Sequence, residues 1–169
     1  MKRTYQVGVM IIVVVVTVGV FCVAGGQVRE NRPAGPRLPG ARPIIDASCY
    51  ASIQAAIDAL PEAGGVVRLP PGTFEISRAL RVTKDDVLIE GTGTATHIKN
   101  INIEGQSALI LQHPSGRDSR KAELWRIRLA NFRITGNEKS GHGIEARRIN
   151  EIFIDGVTVS YHGGDGVRL

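Results

Sequence analysis

The sequence predicts an all-β solenoid, a fold in which short strands stack turn upon turn along one axis. After Gly65 the 169-residue chain consists of short strand-like runs separated by Gly, Pro and Asn. The phrase GHGIEAR at 141–147 returns as GGDGVRL at 163–169, displaced by 23 positions. A repeat of this length that holds two or three short strands is typical of a solenoid.

A second pair of segments extends the repeat towards the N-terminus. LANFRITGN at 129–137 aligns with IDGVTVSYH at 154–162, displaced by 25 positions. The matching Leu, Ile, Val and Phe positions predict inward ladders of apolar side chains, with backbone hydrogen bonds between coils. The glycines are expected at corners, where a positive φ is needed. We count about four coils, depending on how the first is drawn.

The first 25 residues are predicted to be a signal peptide. Lys2 and Arg3 precede an uncharged apolar run at 7–24, and small residues follow it. This layout is typical of an export signal cleaved after Ala24 or Gly25, which predicts a secreted or cell-envelope protein. The alternative is an uncleaved membrane anchor, since the 18 residues at 7–24 are long enough to span a bilayer.

Residues 26–44 are predicted to be a Pro-, Gly- and Arg-rich linker. The linker carries much of the excess positive charge, because the chain from Pro43 onward holds 15 basic and 15 acidic side chains. A neutral body has no long-range field to attract a polyanion, so nucleic acid is excluded as a partner. A membrane is expected as a partner only through an uncleaved N-terminal segment.

Cysteine usage predicts neither a disulfide nor a metal site. Removal of the signal peptide would leave Cys49 as the single cysteine, for which a buried thiol is expected. The chain has no Cys and His residues at metal-ligand spacing, so we expect no metal site.

One short helix is predicted before the strands. Ile53, Ala56, Ile57 and Leu60 recur at the spacing of one helical face. Asp46 or Ser48 is expected to cap its start, and Pro61 with Gly64 and Gly65 to end it. An amphipathic helix at this place can cover the unpaired, apolar end of the first coil.

The segments SIQAAIDALPEAGGVVRLPPGTFEIS and VLIEGTGTATHI resemble the start of the pectate-lyase-like superfamily. The resemblance is to the branch of rhamnogalacturonase-like and epimerase-like proteins and phage tailspikes, and it covers about 45–169. It implies a right-handed parallel β-helix domain over 45–169, with the short helix as its N-terminal cap. Enzymes of this superfamily act on acidic polysaccharides in a groove along one face.

The resemblance implies a secreted protein that binds or degrades an acidic polysaccharide as a lyase or glycosidase, with the polysaccharide as partner. The chain has no complete catalytic set: GHG at 141–143 is similar to a polygalacturonase histidine motif, but the companion aspartate motifs are missing. Calcium is implied by the resemblance alone, and the sequence itself indicates no cofactor. Alternatives are a non-catalytic structural or adhesive module, or an inactive N-terminal fragment. The sequence stops in mid-coil at Leu169, so the solenoid is expected to be truncated, with self-association through the open last coil.

Candidate functional residues follow from these motifs. Glu145 and Arg168 occupy equivalent outward positions on adjacent coils, so we expect them about 5 Å apart as a surface ion pair. Asp85 and Asp86 are expected to cap a turn, and Trp125 to pack inward or at a corner. The weak catalytic candidates are His142, Asp165 and Arg168. The substrate-binding candidates are Arg147 and, in the polar loop 113–123, Arg117, Arg120 and Lys121.

Overall fold

The computed structural model describes residues 22–24, 27–29, 38–115 and 123–169. These residues form an all-β parallel solenoid of about five turns, which confirms the predicted fold class. The strands are β1 (Cys22–Ala24), β2 (Gln27–Arg29), β3 (Ile44–Asp46), β4 (Gly65–Arg68), β5 (Gly72–Ile76), β6 (Leu80–Val82), β7 (Val87–Glu90), β8 (Thr96–Asn100), β9 (Leu109–Gln112), β10 (Ile127–Thr135), β11 (Ile144–Arg147), β12 (Ile152–Ser160) and β13 (Val167–Arg168). One α-helix, α1 (Ile53–Asp58), and two 3₁₀ turns, Ala47–Cys49 and Gly93–Ala95, accompany them.

Three parallel faces make up the solenoid. Face A contains β3, β4, β7 and the first halves of β10 and β12. Face B contains β5, β8 and the second halves of β10 and β12. Face C contains β6, β9, β11 and β13. The long strands β10 and β12 pass from face A to face B at Asn131 and Gly156, which both have positive φ.

The strand register confirms both repeat offsets read from the sequence. Leu129 pairs with Ile154 and Ile134 with Val159, at the offset of 25. Ile144 pairs with Val167, at the offset of 23. The two missing residues lie in the turn that precedes face C, so the strands keep their register while the turn shortens.

Inward side chains form apolar ladders, and the ladders are the core. Face A contributes Val67, Ile89 and Leu129, each 1% exposed or less. Burying such side chains stabilises a protein by about 1.5–3 kcal/mol each, so stacking of turns supplies most of the stability. Further ladders include Phe74, Ile98, Ile134 and Val159 on face B, and Leu80, Leu109, Ile144 and Val167 on face C.

The expected count of four coils is wrong by one turn. Strand β3, at the boundary of the predicted linker, pairs in parallel with β4 and forms an additional first rung of face A. Helix α1 then follows β3, before the chain returns to face A in β4. Three residues flanked by turns carry too little periodicity to be recognised as a strand.

The start of α1 differs from the prediction. Ser52 caps the helix, and its hydroxyl accepts a hydrogen bond from the Ala55 amide at 3.1 Å. Asp46 instead caps the preceding 3₁₀ turn through the Ser48 amide at 2.9 Å. The helical face is as predicted, since Ile53, Ala56 and Ile57 are buried.

Helix α1 covers the free edge of β6, the first strand of face C. The Gln54 side chain accepts from the Arg81 amide at 2.8 Å and donates to the Arg81 carbonyl at 3.2 Å, as a neighbouring strand would. Lys84 Nζ donates to the carbonyls of Asp58 and Leu60 at the end of the helix. The backbone groups at the free edge of β6 and the last carbonyls of the helix thereby both gain hydrogen-bond partners.

Asparagines satisfy the backbone at the corner between faces B and C. Asn102 Nδ2 donates to the Ser77 carbonyl of the preceding turn at 3.0 Å. Asn137 Nδ2 donates to the carbonyls of Asn100 and Asn102 at 3.1 and 2.9 Å. Each side chain therefore ties its own turn to the one before it, where the strand ladder is interrupted.

Gly141 and Gly143, the two glycines of the phrase GHGIEAR, are explained by close packing and not by positive φ. Gly141 and Gly143 are not among the residues with positive φ. A Cβ at Gly143 would lie 2.2 Å from Val159 Cγ1, and one at Gly141 would lie 2.4 Å from the Gly105 carbonyl oxygen. Neighbouring turns approach too closely here for any side chain, which corrects the predicted reason for these glycines.

Asp85 and Asp86, which were expected to cap a turn, instead make their side-chain hydrogen bonds to residues distant in sequence. Asp85 accepts a hydrogen bond from the Trp125 amide at 2.9 Å. Asp86, at positive φ, pairs with Arg42 at 3.0 Å and with Arg126 at 2.6 Å. Hydrogen bonds from Arg126 and Arg42 hold the pKa of Asp86 well below its ordinary range. One carboxylate thus joins a segment before the first turn to two successive turns of the solenoid.

Trp125 was expected to pack either inward or at a corner. It lies at a corner and is 37% exposed. Arg126 next to it has positive φ, and this interrupts the alternation of inward and outward side chains. Leu124, placed opposite Ile127 by simple alternation, is consequently buried on the same core as Ile127.

The N-terminal predictions fall largely outside the described residues. The signal peptide or anchor at 1–25 is described only at β1, which pairs antiparallel with β2 of the predicted linker 26–44. None of the helices in the described part of the chain has the length and apolar character to cross a membrane. Cys49 is disulfide-bonded in the 169-residue chain. The prediction of a lone thiol concerns the chain after removal of the signal peptide and stays a prediction.

The pairing of Asp86 with both Arg42 and Arg126 gives a prediction about stability. Asp86→Asn keeps a residue that tolerates positive φ but removes the charge, and we expect it to destabilise the fold by about 1–2 kcal/mol at neutral pH. The pKa of Asp86 is lower in the folded state, so its contribution is complete above pH 4 or so and is lost as the pH falls further. Thermal unfolding across this pH range measures the effect. Asp155→Asn, which breaks one exposed pair, is the control; equal losses would contradict the prediction.

The contact between α1 and β6 is tested by hydrogen exchange. Gln54→Ala removes both hydrogen bonds to the Arg81 backbone, so the Arg81 amide is expected to exchange at least tenfold faster. Gln106→Ala, at an exposed position in the turn before face C, is the control. An unchanged Arg81 rate in Gln54→Ala would show that the edge is protected by other means.

Candidate functional site

Three of the sequence-predicted site residues meet at the C-terminal part of face C. His142 precedes β11, Asp165 precedes β13, and Arg168 lies in β13. Gly143 N–H donates to the Asp165 carbonyl and Ile144 N–H to the Gly166 carbonyl, at 3.0 and 2.9 Å. These bonds stack the two glycine-rich turns directly and bring His142 beside the next turn.

The imidazole of His142 contacts both other candidates. Its Nδ1 accepts a hydrogen bond from the Asp165 backbone amide at 2.9 Å and lies 3.5 Å from the Asp165 carboxylate. Its Nε2 lies 3.2 Å from Nη1 of Arg168. The His142 backbone amide donates to Ser107 Oγ of the preceding turn at 3.3 Å. The following turn therefore contacts the ring, while the preceding turn holds the backbone of His142.

A second group lies beside it, around Glu145. The Glu145 side chain points outward from β11, yet the residue is only 8% exposed. Its carboxylate accepts from Ser107 Oγ at 2.9 Å and from the guanidinium of Arg147. Burial acts to raise the pKa of Glu145, but hydrogen bonds from Arg147 and Ser107 outweigh it and hold the pKa below its ordinary value. Glu145 is thus a fixed carboxylate that neutralises Arg147.

Glu145 and Arg168 occupy neighbouring positions on adjacent strands, as expected, but their side chains do not form the expected ion pair. The two residues are direct partners on β11 and β13. The carboxylate is taken up by Arg147, two positions along the same strand, while the Arg168 guanidinium turns to His142. The guanidinium of Arg168 is therefore exposed, and it has no carboxylate partner among the described residues.

The remaining predicted residues cannot be placed in the site. Arg117, Arg120 and Lys121 belong to the loop 113–123 and lie outside the described residues. No group of three or more metal-binding side chains occurs within the described residues.

Sequence reasoning missed Ser107, Ser140 and His162. Ser140 is buried, and its Oγ lies 3.3 Å from Nδ1 of His162. Burial, with the charge of His142, lowers the pKa of His162, and its Nε2 has no partner among the described residues. The signal for His162 was present, because the offset of 25 aligns it with the corner residue Asn137.

The arrangement defines a parallel β-solenoid with a polar cluster of both signs at one end of face C. Guanidinium and imidazole N–H groups beside fixed carboxylates are suited to bind an anionic, hydroxyl-rich ligand. The cluster comprises Ser107, His142, Glu145, Arg147, Asp165 and Arg168, and we call it the face C cluster.

Among solved structures, the chain is similar to ORF18 of Geobacillus virus E2, with a TM-score of 0.63 and 19% sequence identity. The similarity covers 70% of this chain and 26% of that chain, so this chain spans about a quarter of its length. At this identity it shows the solenoid fold alone. No family model and no curated protein matches the chain.

The Glu145 contacts give a prediction for the cluster. Glu145→Gln removes the charge of a nearly buried carboxylate that pairs with Arg147, so we expect a loss of about 1–3 kcal/mol in unfolding free energy. Chemical denaturation measures it, with Glu104→Gln at an exposed turn as the matched control. If both variants are equally stable, the Glu145 carboxylate does not organise the face C cluster.

Proposed function

We propose that this β-solenoid is an exported, pectate-lyase-like protein whose face C cluster binds an acidic polysaccharide. The observation that carries the proposal is the contact of His142 with both Asp165 and Arg168 at one end of face C. Export is supported by the predicted signal segment at 1–25, and the substrate class by the resemblance over 45–169.

The cluster has the groups that recognition of a uronate unit needs. Arg168 offers a planar guanidinium, which matches a carboxylate in two parallel hydrogen bonds. Asp165, whose carboxylate is exposed, offers an acceptor for sugar hydroxyls. Strands on a solenoid face lie about 4.8 Å apart, so a chain of sugars can contact several turns at once.

Cleavage of the polysaccharide, by elimination or hydrolysis, belongs to the same resemblance and is tested separately. A lyase would leave an unsaturated end in each new chain, and its calcium requirement would be revealed by a chelator. Binding without new ends would identify a module that holds the polysaccharide and does not degrade it.

The binding proposal is tested with the full chain and polygalacturonate by isothermal titration calorimetry. We expect heat of binding with polygalacturonate and none with neutral dextran, because the guanidinium contact requires a carboxylate. Arg168→Gln is expected to weaken binding about tenfold, the effect of losing one charge-assisted hydrogen-bonded contact. Arg128→Gln is the matched control, since Arg128 is an exposed guanidinium on face A.

Equal weakening by both substitutions would mean that net charge, and not the face C cluster, governs binding. No binding of polygalacturonate by the unaltered chain would overturn the proposal.

A second candidate is a structural or adhesive module. Its specific support is Phe153, a large apolar side chain on the outward side of β12 that is 59% exposed. Concentration-dependent self-association measured by analytical ultracentrifugation, together with no binding of polygalacturonate, would favour this function.

A further inference from the structure

Two hydrogen-bond donors face each other inside the face C cluster. The Asp165 backbone N–H points at Nδ1 of His142 at 2.9 Å, so Nδ1 carries the lone pair. A neutral imidazole then carries its proton on Nε2. Nε2 lies 3.2 Å from Nη1 of Arg168, which is a donor in every protonation state of proteins. Neither group can accept from the other.

Neighbouring residues do not supply the missing acceptor. Glu145, opposite Arg168 in register, is already hydrogen-bonded to Arg147 and Ser107. The Asp165 carboxylate lies 3.5 Å from Nδ1, on the other edge of the ring from Nε2. No described residue accepts from either donor.

We infer that His142 Nε2–H and the Arg168 guanidinium form a two-donor seat for one oxyanion. An oxygen of that anion would accept from both donors and relieve their direct opposition. The inference rests on the proposed function for the source of the anion, which we take to be the carboxylate of a uronic acid unit. His142 is then a binding residue, and the Asp165 amide of the next turn selects its tautomer.

Two substitutions of the same residue separate the ring nitrogens. His142→Gln has the length to place an amide N–H near the position of Nε2, whereas His142→Asn reaches only the position of Nδ1. We expect His142→Gln to bind galacturonate within about threefold of the unaltered chain, and His142→Asn to bind about tenfold more weakly. Thermal unfolding of both variants identifies any loss that arises from misfolding.

Nitrogen NMR of the His142 ring provides a readout independent of the variants. In the free protein we expect the neutral ring to be the Nε2–H tautomer, with a shifted Nε2–H signal on adding galacturonate and none with methyl galactoside. Inorganic sulfate separates the sources: a sulfate shift equal to that of galacturonate would mean a general oxyanion seat and overturn the uronate assignment. A ring protonated on Nδ1 in the free protein would overturn the seat itself.

Failure of the two proposals can be told apart. If polygalacturonate binds while the His142 signals and both variants are unaffected, the seat is wrong and the proposed function stands. If galacturonate shifts the Nε2–H signal but polygalacturonate does not bind, the seat is supported and the proposed function is wrong.

Discussion

The parallel, in-register stacking of one turn on the next is the constraint on which the rest of the structure depends. Hydrogen bonds between turns hold β3, β4, β7, β10 and β12 at a common spacing on face A. Each turn therefore places its inward side chains directly over those of the previous turn, and the ladders form without further specification. The same stacking leaves a free edge at the beginning, which the side chain of Gln54 occupies on face C.

At the corners of the solenoid the hydrogen-bond ladder between strands is interrupted. Backbone groups at the turns are satisfied by side chains of neighbouring turns, as with Asn102 and Asn137. Charged groups can join several turns at such a place, and Asp86 does so with two arginines. The face C cluster arises at a corner of this kind, where stacked glycines bring His142 against the backbone of Asp165. Its polar groups are thus brought together by the close stacking of the turns.

The sequence predicted the fold and the register well, because periodicity records stacking directly. The pairs Leu129 with Ile154 and Ile144 with Val167 could be read from the repeat alone. Features that depend on one backbone angle could not be read: Arg126 at positive φ placed Leu124 on the opposite side from its expected one. Within the site, the register correctly placed Glu145 opposite Arg168. The register could not show that the Glu145 carboxylate pairs with Arg147 instead, because this depends on how far each side chain reaches.

The stacking of β13 on β11 has a consequence for any ligand that uses Arg168. Arg168 and the Asp165 amide that orients His142 belong to the same turn, and that turn is held on the previous one by the pairing of β13 with β11. Single turns of a protein can open locally at lower cost than unfolding of the whole domain. Opening of β13 would remove both Arg168 and the Asp165 amide that orients His142. Apparent affinity would then scale with the fraction of molecules in which this turn is closed, and ligand binding would in turn protect the turn from exchange and proteolysis.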